Sequence, residues 1–136
     1  MSAGYSGTPL PKKLGLKSGQ RIIVLGAPDG YDAILGDLPD GLETADSLVG
    51  TFDFIQFFTV ERAEFETQFP PLKAALAQDG MLWISWPKKA SKIPTDLDEN
   101  IIRNVGLANG LVDVKVAAID ERWSGLKFVY RVKDRR

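Results

Sequence analysis

Three short runs hold most of the residues in this sequence that could do chemistry. Trp86-Pro87-Lys88-Lys89 places an indole beside two ammonium groups. Lysines of this kind can meet phosphate or carboxylate as charge-assisted donors, and the ring can stack on a ligand or hold a cation. Asp120-Glu121-Arg122-Trp123-Ser124-Gly125-Leu126-Lys127 mixes a second indole with charges of both signs. Gly26-Ala27-Pro28-Asp29-Gly30 follows an apolar run, the place where nucleotide-binding folds set a glycine loop so that backbone donors can meet a ligand. It is also the composition of a plain strand-to-helix turn. The sequence contains no cysteine and no histidine. That removes the commonest zinc ligands, the thiol nucleophile and the usual general base, so no metal site is expected. Tyr31, Asp29 and Thr59 are the remaining isolated groups for proton transfer, and with no paired base beside them no catalytic residue is assigned.

The elements that must position these runs can be read from periodicity. Gly4 to Leu10 is rich in turn formers and predicts an irregular arm over residues 1–20, docked through the apolar anchors Tyr5 and Leu10 and bringing Lys12 and Lys13 near the body. Residues 21–136 then form one α/β domain. Arg21 to Leu25 is a β-branched run halted by Gly26, as in a strand buried on both faces. Tyr31 to Leu35 allows two helical turns, and Leu42 to Ser47 a short edge strand. Phe52 to Phe58 is a second central strand. Val60 to Ala77 has helical spacing, with Pro70-Pro71 predicting a bend and a new helix from Pro71 until Asp79-Gly80 stops it. Met81 to Trp86 is the third central strand, ended by Pro87. Thr95 with Asp98 predicts a capping box for a helix whose stripe is Leu97, Ile101, Val105 and Ala108. Val112 to Ile119 and Leu126 to Val132 alternate with period two around a turn, as an antiparallel hairpin does.

Composition sets the outer bounds. A chain of 136 residues with 44% hydrophobic and 26% charged side chains is one globular domain by length, and no apolar run approaches the ~20 residues that span a bilayer. No membrane association and no export signal are expected, which predicts a cytoplasmic protein. The net charge of −1 gives no general attraction to nucleic acid. Its distribution is uneven: residues 29–66 hold ten of the eighteen acids against a lone Arg62, while residues 1–28 carry Lys12, Lys13, Lys17 and Arg21 and no acid.

Strand, helix, strand, helix, strand and a closing hairpin resembles a trimmed class I methyltransferase sheet. The expected fold is a mostly parallel, three-layer, Rossmann-like α/β sheet ordered Leu42 edge, Arg21, Phe52, Met81, Leu126, Val112 strand, with the Leu126 strand antiparallel. Too few residues lie between Arg21 and Phe52 for two full βα units. The wording of Gly4-Tyr5-Ser6-Gly7-Thr8-Pro9-Leu10, Lys13-Leu14-Gly15, Trp86-Pro87-Lys88-Lys89-Ala90-Ser91, Thr95-Asp96-Leu97 and Trp123-Ser124-Gly125-Leu126-Lys127 is similar to a family of small bacterial proteins defined as a domain of unknown function. That resemblance implies no activity, substrate or catalytic residue.

Methyltransferase glycine loops usually follow an acid two residues upstream and carry a further glycine against the cofactor, and this chain has Val24 and Pro28 there. Gly26 and Gly30 are the only positions that keep a cofactor-binding role in this reading. No cofactor is therefore expected, and no tight binding of S-adenosylmethionine. The favoured function is a non-catalytic binding or regulatory module whose rim pocket takes an anionic small molecule, or which binds a protein partner. Trp86, Lys88, Lys89, Trp123 and Lys127 are expected to line that pocket, with Lys12 or Lys13 nearby. The alternatives are a degenerate or minimal S-adenosylmethionine-dependent methyltransferase and a protein-interaction domain whose acidic face meets a basic partner.

Overall fold

The computed structural model describes residues 8–135, so the Gly4–Gly7 motif and the Tyr5 anchor lie outside the described residues. The strands are β1 (Arg21–Leu25), β2 (Glu43–Ala45), β3 (Phe52–Phe58), β4 (Leu76–Pro87), β5 (Leu111–Ala118) and β6 (Trp123–Tyr130). They form one sheet in the order β2-β1-β3-β4-β6-β5, parallel from β2 to β4, with β6 antiparallel to both its neighbours. This is the expected fold class and strand order. The parallel central strands β1, β3 and β4 are the β-branched and aromatic runs, since residues facing helices on either side must be mostly apolar.

The helices are α1 (Leu10–Leu14), α2 (Tyr31–Leu35), α3 (Arg62–Ala74) and α4 (Glu99–Ala108). Helices α3 and α4 cover one face, where Phe65, Phe69, Leu72 and Ile102 pack on Phe52, Ile55, Ile84 and Phe128. Helices α1 and α2 cover the other, where Leu14, Leu16 and Tyr31 pack on Phe54, Phe58, Trp83 and Trp123. Among the described residues no helix is long and apolar enough to cross a membrane.

Four local expectations are corrected. The arm is not irregular throughout. Pro11 fits the first turn of α1, and Gly15 closes it at φ 90°, where its absent side chain also leaves room for the Met81 sulfur. Helix α3 runs unbroken through Pro70 and Pro71, because it ends at Ala74 and the carbonyls they leave without donors belong to exposed Glu66 and Thr67. The strand after it begins at Leu76, not Met81: Leu76 pairs with Phe52, and a register shift at Gly80 lets the ladder continue. A Cβ at Gly80 would stand 2.9 Å from the Asp53 carbonyl oxygen, so glycine is what admits that irregularity. Last, the cap of α4 is Asp98, whose Oδ1 accepts from the Ile101 amide at 2.8 Å, and Thr95 lies outside the helix. The buried positions of α4 are accordingly Ile102 and Gly106, with Ile101 and Val105 half-buried and Ala108 exposed.

Candidate functional site

From β1 the chain steps to β2 on one side, and from β2 it crosses to β3 on the other, with α2 and α3 on opposite faces. The order therefore reverses between β1 and β3, and in open α/β sheets ligands bind outside the carboxyl ends of the strands at such a switch point. The walls of this crevice are the loop from Gly26 to Gly30 after β1 and the segment from Thr59 to Glu61 after β3.

Each glycine of the loop has a local reason. Gly26 has φ 71°, and a Cβ there would lie 2.7 Å from the Phe58 carbonyl oxygen, so the ends of β1 and β3 touch only because the side chain is missing. Gly30 has φ 81° and faces open space. The Pro28 carbonyl accepts from the Tyr31 amide at 3.2 Å, starting α2. Val24 packs into the core under α1 and α2, so its side chain is turned away from the crevice. Across the gap the Thr59 amide donates to the Ser85 carbonyl at 3.0 Å and its hydroxyl donates to Glu64 Oε1 at 2.9 Å.

Beneath the crevice lies a polar chain absent from the sequence reading. The Tyr31 hydroxyl donates to Gln56 Oε1 at 2.6 Å, and Gln56 Nε2 donates to Ser85 Oγ at 3.1 Å. Gln56 and Ser85 are fully buried, and burial pushes the Tyr31 hydroxyl well above the usual phenol range, so it stays a neutral donor. The signal was available: Gln56 is the one neutral polar residue in the apolar run Phe52–Phe58, and a buried amide must find partners. Beside this chain the Tyr31 ring meets Phe58 edge-on at 4.8 Å, and Phe58 meets Trp123 at 5.2 Å.

A pocket of about 650 Å³ opens beyond β4 on the α4 side. Trp86, Lys88, Lys89 and Ser124 form one wall, and Thr95, Asp96, Asp98 and Glu99 the other. The acids of the second wall are engaged within the protein: Asp96 accepts from the Arg62 amide at 2.7 Å, Asp98 caps α4, and Glu99 pairs with Arg103. The Thr95 hydroxyl donates to the Val60 carbonyl at 2.6 Å, which holds this pocket against the segment that walls the crevice.

The seven rim residues singled out from sequence do not share this pocket. Trp86 pairs with Ser124 and Trp123 with Pro87, so the two tryptophans sit at the same end of the sheet but point to opposite faces. Trp123 is buried against Phe58. Lys127 pairs with Trp83 farther down β6, on the α1 face. Lys13 also lies on that face, its Nζ donating to the Ala118 carbonyl at 2.9 Å, and Lys12 is exposed on α1. Only Trp86, Lys88 and Lys89 line the pocket. Among the described residues no acidic cluster of metal-binding type occurs.

No family model and no curated protein sequence matches the chain. Its fold matches solved structures of S-adenosylmethionine-dependent methyltransferases. The magnesium protoporphyrin IX methyltransferase of Synechocystis PCC 6803 with bound S-adenosylhomocysteine is 15% identical, with a TM-score of 0.55 over 84% of this chain and 75% of that one. The ribosomal protein L11 methylase of Lactobacillus delbrueckii subsp. bulgaricus is 16% identical, with a TM-score of 0.59 over 90% and 75%. A methyltransferase of Aquifex aeolicus is 16% identical, with a TM-score of 0.59 over 86% and 85%. The chain thus has a methyltransferase-like, Rossmann-like fold. This corrects the expectation of a non-catalytic module: the architecture is matched across most of its length by enzymes, two of them with a shared cofactor chemistry in their names, and the enzyme alternative is the better supported.

Proposed function

We propose that this protein is a minimal S-adenosylmethionine-dependent methyltransferase, with the cofactor in the β1–β3 crevice and the methyl acceptor in the adjoining Trp86–Lys88–Lys89 pocket. The observation that carries it is the reversal of strand order between β1 and β3 beside the Trp86–Lys88–Lys89 pocket, in a sheet whose fold matches that of such enzymes. The crevice residues fit the cofactor. Gly30 faces open space, and exposed Asp29 offers a carboxylate to the hydroxyl groups of a ligand that also bears a positive sulfonium. When bound, that sulfonium supplies an electrophilic methyl group.

The chain supplies position. The bonds from Thr95 to Val60 and from the Arg62 amide to Asp96 fix the acceptor pocket against the crevice, so two bound ligands share one rim. Lys88 and Lys89 face an acidic wall already committed to internal partners, which favours an acceptor with an anionic group. No side chain is assigned as a base, and the proton that an N–H or O–H acceptor loses on methylation passes to solvent. Pro28 lacks an amide donor and Val24 supplies no acid, so binding weaker than that of a full glycine motif is the expectation. We further place the protein in the bacterial cytoplasm, as one α/β domain of residues 21–136 with residues 1–20 as its arm, following the sequence resemblance.

The test is calorimetric titration with S-adenosylmethionine and S-adenosylhomocysteine. Binding that weakens several-fold in Asp29→Ala and is unchanged in Lys88→Ala/Lys89→Ala supports the assignment of the two pockets. No heat and no thermal protection at millimolar ligand overturns it.

A further inference from the structure

We infer that the methyl acceptor is RNA, held by its phosphate backbone along a lysine strip on the α1 face of β5 and β6. This rests on the enzyme reading above and names the substrate of the same rim. The strip comprises Lys127, Lys115, Lys17, Lys13 and Lys88. Lys115 and Lys127 are direct cross-strand partners, so both side chains leave the same face of the sheet. Like charges placed directly opposite on a sheet are unfavourable, and neither lysine has an acidic partner among the described ion pairs. Lys115 Nζ donates to the Lys13 carbonyl at 3.0 Å and Lys13 Nζ to the Ala118 carbonyl at 2.9 Å, which carries the row toward the rim. At the rim the Lys88 amide donates to the Arg122 carbonyl at 2.8 Å, beside the pocket.

Mutual repulsion is felt along the row. Lys13 loses basicity first through burial and then through Lys115 and Lys88, and Lys127 through burial and then through Lys115 and Lys17. From Lys127 to the start of β6 the strand rises about 14 Å, enough for several successive phosphates. The contrast with the acidic stretch 29–66 explains how a net charge of −1 coexists with such a surface. The fold sorts the charges that the sequence total cancels. A row of flexible point charges without exposed aromatic rings beside it suits a phosphate backbone read without regard to sequence. The row ends at Lys88, which also lines the pocket on the α4 side, so a strand lying on the α1 face reaches the pocket by turning over the rim at that residue.

The test is fluorescence anisotropy of the full chain with a labelled single-stranded RNA 20-mer, from 25 to 300 mM NaCl and without adenosylmethionine. Three to four phosphate contacts give a log–log salt slope of about −2 to −3. Lys115→Ala/Lys127→Ala should weaken binding at least five-fold at low salt and flatten the slope by about 1.4, and Lys133→Ala should change neither. If a melting curve shows the double variant misfolded, Lys17→Ala on the exposed turn carries the same test with a slope change of about 0.7. No binding at 25 mM NaCl, an unaffected strip variant, or a poly-glutamate peptide that binds as tightly and displaces the RNA overturns the inference, the last in favour of an acidic protein. RNA binding without adenosylmethionine binding would instead reject the enzyme reading alone, since the two titrations are independent.

Discussion

The two faces of the sheet are built by different means. Under α3 and α4 the packing is almost wholly apolar, with Phe65, Phe69 and Phe128 stacked edge to face at 5.6 and 5.7 Å and Gly106 lying so close that a Cβ would overlap the Phe128 ring. Under α1 and α2 the cover is two helices of five residues each, and polar bonds make up for their size. Trp83 Nε1 donates to the Leu14 carbonyl at 2.9 Å, the Tyr31–Gln56–Ser85 chain crosses the middle, and lysines border the edge. Broad apolar helices can hold a face by area alone. Short ones need directional bonds to fix where they sit, and the face they cover keeps room at its margin for charge.

The sharpest way to break this contrast is to truncate one large residue on each face. Phe69→Ala and Trp83→Ala should each cost about 3–5 kcal/mol of unfolding free energy in denaturant titrations. Only Trp83→Ala should also remove hydrogen-exchange protection from residues 10–16 in the protein that stays folded. If both variants protect α1 equally, the two faces are not held differently. The next effect isolates the polar chain. Gln56→Leu leaves the Tyr31 hydroxyl buried without its acceptor and should cost about 2 kcal/mol. The combined change of Tyr31→Phe, Gln56→Leu and Ser85→Ala should recover most of that loss, because no partner is then stranded. A triple variant as weak as the single one would show that shape, not bonding, matters here.

The smallest effect concerns the charged margin. Folding lowers the basicity of Lys127, chiefly through burial, so its charge opposes the folded state at neutral pH. Between the lowered value and the free lysine value near 10.4 the unfolded chain binds more protons, and stability from this group rises with pH. Lys127→Met should therefore melt slightly higher than the parent at pH 7, with the gap closing as pH approaches 10.5. A gap that widens with pH would contradict the burial of that ammonium group.

Much of this was legible in the sequence because the signals were redundant. The apolar runs of β1, β3 and β4 and the alternation of the last hairpin each mark a strand on their own, and right-handed crossovers then leave few orders for them. Side-chain direction at the rim was less accessible. Trp86 and Trp123 are brought together by topology, yet a one-residue offset in the pairing of β4 with β6 sends them to opposite faces, and the register of two strands so far apart in sequence is set by packing on both faces and not by a short turn. Helix α1 was hidden by its own punctuation, with Pro9, Pro11 and Gly15 looking like loop residues while serving as its ends. The acidic wall of the pocket is hidden in the sequence because Thr95 with Asp98 reads as a capping box, whereas Asp98 is itself the cap of α4.

The mutual lashing of Lys13 to Ala118 and of Lys115 to Lys13 joins segments more than a hundred residues apart. At ribosomal rates of roughly 5–20 residues per second, α1 emerges roughly 5–20 s before the strand that secures it has been made. Trp83 is also long delayed, so while β1 to β3 are being synthesised the first helix has apolar partners in Ile22, Phe54 and Phe58 but lacks the indole that donates a hydrogen bond to its Leu14 carbonyl. The bonds that fix α1 are consequently among the last to form: its Lys13 and its Leu14 carbonyl wait for partners supplied by β4 and β5.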